Sequence, residues 1–302
     1  MKFLAFVFLC FLGVTSIAAP DGTLSLNPAN KKTIQWMIHE LPPFIYTSSN
    51  DAILNSENLH GPLGGLYKVL ASSMPGYDHR FVRIPLLRAM KVIRENKQIC
   101  SLVLAENKER RNFLYFGEEI TAGLPFGLIT LQSLAPSKYV SVNAVPNEII
   151  MEQTLEKKQF RLGFVNGRYY PQALTPLLEK STKSYGFHGD GSIDKLFSML
   201  QAKRIDGVLG VYLEMAEFEK NHPGEKMQFF RIKEAPEFTA LRASCERTPW
   251  GKRAVKEISK LIREKNFKEL SHEYLMAHLP PERRKEYQKI YETRPPTITE
   301  DF

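Results

Sequence analysis

The sequence has few histidines, and it lacks the short motifs of several common catalytic sites. Its seven His residues are dispersed along 302 residues. His272 and His278 lie six positions apart, so they do not share a helical face as His residues four apart do. His188 lies near Asp190 and Asp194 but without metal-site spacing. Neither a Gly-x-Ser-x-Gly nucleophile elbow nor a Gly-x-x-x-x-Gly-Lys phosphate loop occurs. We therefore expect a protein that is not an enzyme, with no catalytic residue, no metal and no cofactor.

Long apolar runs are also absent, except at the N-terminus. There, Lys2 precedes an apolar run over residues 3–14, and the small residues Ser16 and Ala18 follow. This is the layout of a secretory signal peptide, and the run is short for a membrane span. We expect residues 1–18 to be removed and the protein to be exported to a periplasmic or other extracytoplasmic location. An uncleaved N-terminal anchor is the alternative interpretation.

Cysteine is scarce, with three residues in the chain. Cys10 lies inside the predicted signal peptide, so the mature chain keeps Cys100 and Cys245. An exported protein meets an oxidising environment, in which one such pair can form a disulfide. Two separately buried thiols are the alternative, because free Cys packs well in apolar cores.

Basic clusters paired with a nucleic-acid motif are also missing. The formal net charge is +8, but Lys and Arg are scattered and interleaved with acids, as between residues 252 and 268. We therefore expect no nucleic-acid partner. We also expect the protein to be a monomer. The length exceeds the roughly 100–200 residues of one typical domain, which favours two domains or lobes.

Strands and helices alternate twice along the chain. The first series contains predicted strands near residues 33–38, 81–84 and 99–104, and the second contains strands near 161–165, 205–211 and 227–232. Helices with apolar residues three and four apart separate them, which is typical of mostly parallel sheets with helices on their faces. Two helices then close the chain, and the tail after Pro280 is predicted to be mobile at its end.

Two extended segments break this alternation, at Leu124–Leu131 and Phe238–Ala243. They predict a chain that leaves one lobe, builds a second lobe and returns. Two such connections form a hinge, about which the lobes can close on a ligand. We expect a discontinuous lobe 1 formed by residues 31–124 with 241–302, and a lobe 2 formed by residues 125–240.

Short motifs occur in a characteristic order across both predicted lobes. They are Pro42-Pro43-Phe44, Ile99-Cys100-Ser101-Leu102, Glu109-Arg110, Leu162-Gly163-Phe164-Val165-Asn166-Gly167, Arg204-Ile205-Asp206-Gly207-Val208 and Trp250-Gly251. With these motifs the chain resembles the family 3 extracellular solute-binding proteins, the polar amino-acid binders of bacterial ABC transport. It is most similar to a divergent, poorly characterised branch with an Arg in the helix before the third strand, here Arg88. The resemblance runs from about Trp36 to Leu279 and implies a type II periplasmic-binding-protein-like clamshell.

The resemblance also implies residue roles and departures from them. Arg110 matches the family arginine that holds the ligand carboxylate, a role that suits the planar fork of a guanidinium; a surface arginine is the alternative. Where the family has a hydroxyl residue this chain has Ala105, and where it has an acid for the ligand ammonium this chain has Val211. We therefore expect an acid, a neutral compound or a peptide-like fragment rather than an ordinary α-amino acid.

Other residues follow the predicted strands, whose carboxyl ends face the crevice in such folds. For each of them there is an alternative interpretation without ligand contact: a core aromatic, a solvated acid, a turn residue or a surface arginine. The further ligand-site candidates are Phe44, Tyr46, Glu40, Gly167, Arg168, Tyr169, Tyr212 and Arg88.

The resemblance places Cys100 and Cys245 in the same lobe and thereby implies a disulfide between them. It also implies a small-molecule ligand and a membrane partner, which is either an ABC permease or a sensor that reports the ligand. A lyase or dehydratase on the same fold is a third interpretation, although the chain leaves no length for an additional catalytic domain.

Overall fold

The computed structural model describes residues 33–95, 98–134, 147–157, 160–181, 183–189, 191–236 and 238–294. The predicted signal peptide, residues 1–18, lies outside the described residues. Within the described ranges, no helix combines the length and the apolar character that a membrane span requires.

The described residues form fourteen strands and ten α-helices. The strands are β1 Thr33–Ile38, β2 Tyr46–Thr47, β3 Ile53–Leu54, β4 Leu59–His60, β5 Asp78–Arg83, β6 Ile99–Ala105, β7 Leu114–Gly123, β8 Phe126–Leu131, β9 Glu148–Ile149, β10 Leu162–Val165, β11 Ser184–Phe187, β12 Gly207–Val211, β13 Met227–Ile232 and β14 Thr239–Glu246. The helices are α1 Gly61–Ser73, α2 Leu86–Ile93, α3 Lys108–Arg111, α4 Met151–Leu155, α5 Thr175–Lys180, α6 Ser192–Gln201, α7 Tyr212–Asn221, α8 Pro249–Glu264, α9 Phe267–His278 and α10 Pro281–Thr293.

The first sheet has the strand order β3-β5-β1-β6-β14-β7. β1 pairs in parallel with β5 and β6, whereas the returning strand β14 is antiparallel to β6 and β7. All residues of β1 and β6 are buried, as expected for central strands covered on both faces by helices. On α8, the side chain of Thr248 caps the first turn, and Val255, Ile258 and Ile262 form the buried face.

The second sheet has the order β11-β10-β12-β8-β13-β9. β10 is parallel to β11 and β12, while β8 runs antiparallel to β12 and β13. β8 carries the chain into this sheet, and β14 returns it to the first sheet, with Thr239 paired to Gly123 at the end of β7. The predicted two-lobed α/β architecture is therefore confirmed, and the two crossings lie side by side.

A disulfide joins Cys100 on β6 to Cys245 on β14, as the resemblance implied. The two residues are register partners across antiparallel strands, with Cα atoms 4.1 Å apart. Both side chains are buried in the main core. The bond thus fastens the returning segment to a central strand of the first sheet, across a sequence separation of 145 residues.

The segment after Pro280 is helical, whereas the sequence predicted a tail. The helix α10 packs along the crossing: Tyr287 Oη donates to the Ala122 carbonyl at 3.0 Å, and Arg294 Nε lies 3.5 Å from Glu119 Oε1. The guanidinium of Arg283 lies 4.6 Å from the ring centroid of Tyr212, a residue of the second lobe. Only Tyr287 and Ile290 of this helix are buried. Its sequence is therefore mostly charged and polar and shows no apolar stripe that would predict a helix.

Candidate functional site

A cavity of about 100 Å³ lies between the two sheets, next to the crossing. The first lobe lines it with His39, Leu41, Phe44, Ile45, Leu63, Leu86, Val103, Leu104, Ala105, Arg110, Thr121, Gly123 and Leu275. Leu124, Thr239 and Leu241 come from the two crossing segments, and Phe126, Arg168, Tyr169 and Val211 come from the second lobe. Aliphatic and aromatic side chains make up most of the wall. Among the described residues, no carboxylate lines the cavity.

Arg110 reaches the cavity from α3, a single turn that follows β6. The Asn107 side chain accepts a hydrogen bond from the Arg110 backbone N–H at 2.7 Å, and Arg110 Nη1 donates to the Ala105 carbonyl at 2.7 Å. These bonds hold a side chain that is only 6% exposed. Burial lowers the pKa of Arg110, partly offset by Glu109 and Tyr169. No described carboxylate lies within ion-pair distance of Arg110, so its charge faces the cavity without a counter-ion.

Arg168 approaches from the second lobe but is already paired. Its Nη1 lies 2.8 Å from Glu214 Oε1, and its guanidinium lies 4.8 Å from the ring centroid of Phe126. The other carboxylate oxygen of Glu214 accepts the Val211 N–H at 2.9 Å. Arg168 therefore adds a neutralised ion pair to the cavity edge, and Glu214 is not available to a ligand.

His39, which directly follows β1, is a cavity residue that the sequence motifs do not indicate. Its Nδ1 is buried without a hydrogen-bond partner among the described residues. Burial lowers the pKa of His39 to about 4, with further lowering by Arg110 and Arg168. The imidazole is thus neutral at pH 7. Its position at the carboxyl end of a central strand is the one sequence signal that could have identified it.

This depressed pKa predicts acid sensitivity. Because the unfolded chain has an ordinary His pKa near 6.5, it binds more protons than the native state between about pH 6.5 and 4. His39→Gln should therefore lose less stability on acidification, by about 2 kcal/mol between pH 7 and pH 5. Urea unfolding of both proteins at the two pH values measures the difference. His278→Gln, at an exposed helix end, is the matched control, and equal losses in all three proteins would contradict the prediction.

The structure brings six of the sequence-predicted site residues together at the cavity wall. They are Phe44, Ala105, Arg110, Arg168, Tyr169 and Val211. Gly167 lies beside them with a φ of +78°, and a side chain there would collide with Leu87 of the first lobe. Gly167 thus permits close contact between the lobes rather than lining the cavity.

Four other candidates lie outside the cavity wall, because each has a different partner or points to solvent. Glu40 pairs with Arg83 at 3.0 Å, and Tyr46, 43% exposed, stacks on the ring of His60. The side chain of Arg88 is exposed on α2. Tyr212 packs on Phe229 and under Arg283. The ends of the strands lie close to where the sequence predicted them. The direction of each side chain determines whether it lines the cavity, and at these four positions it does not.

No family profile and no curated protein matches the sequence. Solved structures do match the fold. An amino acid ABC transporter substrate-binding protein from Streptococcus pneumoniae, bound to L-arginine, has a TM-score of 0.59 and 17% identity, over 83% of this chain and 97% of that chain. An ancestral arginine-binding protein bound to arginine has a TM-score of 0.62 and 14% identity, over 82% and 99%.

A sensor protein shares the same architecture. The periplasmic sensor of the Borrelia burgdorferi hybrid histidine kinase Hk1 matches with a TM-score of 0.50 and 15% identity, over 76% of this chain and 98% of that chain. At these identities the likeness shows the fold. The chain therefore has the two-lobed fold of amino acid transport binding proteins and of a kinase sensor.

Proposed function

We propose that this protein is an exported binding protein that captures a small anionic ligand between its lobes and presents it to an ABC permease. In this proposal residues 1–18 are removed, residues 31–124 with 241–302 form lobe 1, and residues 125–240 form lobe 2. The mature chain acts as a monomer outside the cytoplasm. The neighbouring structures of transport binding proteins support the proposal.

The observation that carries it is the unpaired charge of Arg110. A buried charge is costly unless it is paired and hydrogen-bonded, and here a 6% exposed guanidinium ends in a mostly apolar cavity. A ligand carboxylate would satisfy it through two parallel hydrogen bonds. The remaining wall would bury the apolar part of the ligand.

The same wall disfavours the ammonium group of an α-amino acid. Val211 occupies the position where the resemblance implies an acid, and the nearby Glu214 is held by Arg168 and by the Val211 N–H. A buried ammonium would thus have no carboxylate partner, a loss of several kcal/mol or more. We therefore propose a ligand class different from the arginine held by the solved neighbours.

Closure follows from the placement of the wall residues. The ligand first binds Arg110 in lobe 1, and lobe 2 then brings Arg168 and Tyr169 over it, with Gly167 against Leu87. Contacts formed only in the closed state shift the equilibrium toward that state. The paired strands β7 and β14, at the point where the chain leaves and re-enters the first sheet, act as the hinge.

Sensing is the second candidate, and the kinase sensor neighbour favours it. Both functions require ligand-driven closure, and they differ in the partner that recognises the closed form. Pull-down from membranes with ligand-saturated protein separates them: a permease supports transport, and a kinase or cyclase supports sensing.

A thermal-shift screen tests the ligand class. The exported chain is unfolded and refolded to release bound ligand, and it is then screened at pH 7.5 against carboxylic acids, amino acids, neutral sugars and short peptides. Carboxylic acids should raise the melting temperature with concentration, because a ligand at 100 times its Kd stabilises the native state by about 2.7 kcal/mol. A response only to sugars or to amino acids, or to no compound, would contradict the proposal.

A further inference from the structure

The outer face of α8 carries a continuous row of positive charge. Along the sequence, the basic residues of this helix alternate with Glu257 and Glu264. At 3.6 residues per turn, however, the basic side chains fall on one arc of about 100°, and both acids lie at one edge of it. We call these residues the basic row; they are Lys252, Arg253, Lys256, Lys260 and Arg263, and all are exposed.

The basic row stands on a firmly held helix. Thr248 caps the first turn of α8, and its opposite face is buried against the first sheet through residues such as Val255 and Ile258. None of the residues of α8, all of which the structure describes, lines the cavity between the lobes. Contact with the basic row therefore uses no residue of the ligand site.

Carboxylates of the protein neutralise only part of the row. Arg263 Nη1 lies 2.8 Å from Glu118 Oε2, and Lys260 Nζ lies 3.7 Å from Glu264 Oε1. The other three members of the row form no ion pair with a described residue. Their charges are therefore open to an external partner.

The positions of these charges are unfavourable for the helix itself. Lys252, Lys256 and Lys260 are spaced four residues apart, and like charges at this spacing repel each other. Lys252 and Arg253 lie near the N-terminus of α8, where the helix dipole favours anions, and the first turn has no acidic residue. The row thus weakens its own helix, and a negatively charged surface would relieve this repulsion.

The surroundings of the basic row favour a lipid surface over a folded protein. The cores of protein interfaces are rich in aromatic residues and poor in Lys. The large apolar side chains that are exposed in the described part of the chain are Tyr46, Ile53, Leu87 and Tyr185, all outside α8. A row of long, flexible cations without an exposed apolar anchor matches the diffuse negative potential of anionic phospholipid headgroups.

We infer that the basic row of α8 docks lobe 1 on the anionic phospholipid headgroups of a membrane. The contact holds the binding protein at the surface in which either proposed partner, a permease or a sensor, is embedded. It does not depend on the ligand class, because no cavity residue takes part in it.

Vesicle sedimentation tests this attraction. The exported chain is mixed at pH 7.5 with vesicles of phosphatidylcholine alone, or of equal parts of phosphatidylcholine and phosphatidylglycerol. We expect binding only to the vesicles that contain phosphatidylglycerol. Raising NaCl from about 0.1 M to about 1 M shortens the screening length from about 10 Å to about 3 Å and should release the protein.

A triple variant assigns the binding to the basic row. Lys252→Gln, Lys256→Gln, Lys260→Gln removes three positive charges from exposed positions. Its partitioning to the phosphatidylglycerol vesicles should fall about 100-fold, because each Lys near an anionic surface contributes roughly fivefold. Circular dichroism and the melting temperature establish that the variant folds.

A second triple variant controls for net charge. Lys180→Gln, Lys195→Gln, Lys220→Gln removes the same charge from exposed positions on helices of lobe 2, and it should bind the vesicles like the wild type.

Three results would overturn the inference. The first is the absence of binding to phosphatidylglycerol vesicles, and the second is an equal loss of binding in both triple variants. The third is binding to native membranes that protease treatment abolishes, without binding to lipid vesicles, which would assign the row to an acidic protein. The proposed function would stand in each case, because the thermal-shift screen tests the ligand site separately.

Discussion

Arg110→Ala is expected to weaken binding of the best carboxylate from the screen by about 2–5 kcal/mol, roughly 30- to 5,000-fold in Kd. The guanidinium is buried, is oriented by its bond to the Ala105 carbonyl, and has no described carboxylate partner. Its removal would leave the ligand carboxylate buried without a charge to pair with. Titration calorimetry of both proteins with the same carboxylate measures the change.

Two further variants show whether charge or geometry is responsible. Arg110→Lys keeps the positive charge but loses the planar fork, so its affinity should fall between those of the wild type and Arg110→Ala. Arg88→Gln removes an arginine from the exposed face of α2, outside the cavity wall, and should leave Kd unchanged. Equal affinities for Arg110→Ala and the wild type would remove Arg110 from the site.

Removal of the disulfide should have the largest effect on stability. The double variant Cys100→Ala, Cys245→Ala is expected to lose about 4–5 kcal/mol of unfolding free energy, because the bond closes a long loop in the unfolded chain. The sequence separation is 145 residues. The loop that the disulfide closes contains all of lobe 2. Without the bond, the conformational entropy of the unfolded chain rises. Urea unfolding of the variant and the wild type measures the loss.

A thiol assay checks that the bond is formed in the purified protein. The exported wild-type chain, denatured without reductant, should react with no thiol reagent. Wild type treated with reductant should then unfold like the double variant. Two reactive thiols before reduction, or a stability loss below about 1 kcal/mol, would show that the bond contributes little.

The elements missed by the sequence patterns share a physical reason. β11 has no buried residue, and β9 is two residues long, so neither has the alternation of apolar residues that indicates a strand. The helix α10 buries too few residues to show a helical stripe.

The site shows the same limit. Arg110 was predicted through a motif, and the structure places it in the cavity as a buried cation. His39 was missed, because its lowered pKa arises from burial and from Arg110 and Arg168, which lie far from it along the chain. Glu40 and Tyr46 follow the same strand, but Arg83 and His60 turn them away from the cavity.

The sequence by itself determined the α/β class, the two lobes and the two crossings. Apolar runs and helical spacing are local patterns, which can be recognised within a short stretch of sequence. It also determined which cysteines remain after the predicted cleavage. Only the tertiary structure decided which strand-end residues share one cavity, which arginine lacks a counter-ion, and that α10 packs across both lobes. Those properties depend on side chains from distant segments, whose direction and partners no local pattern specifies.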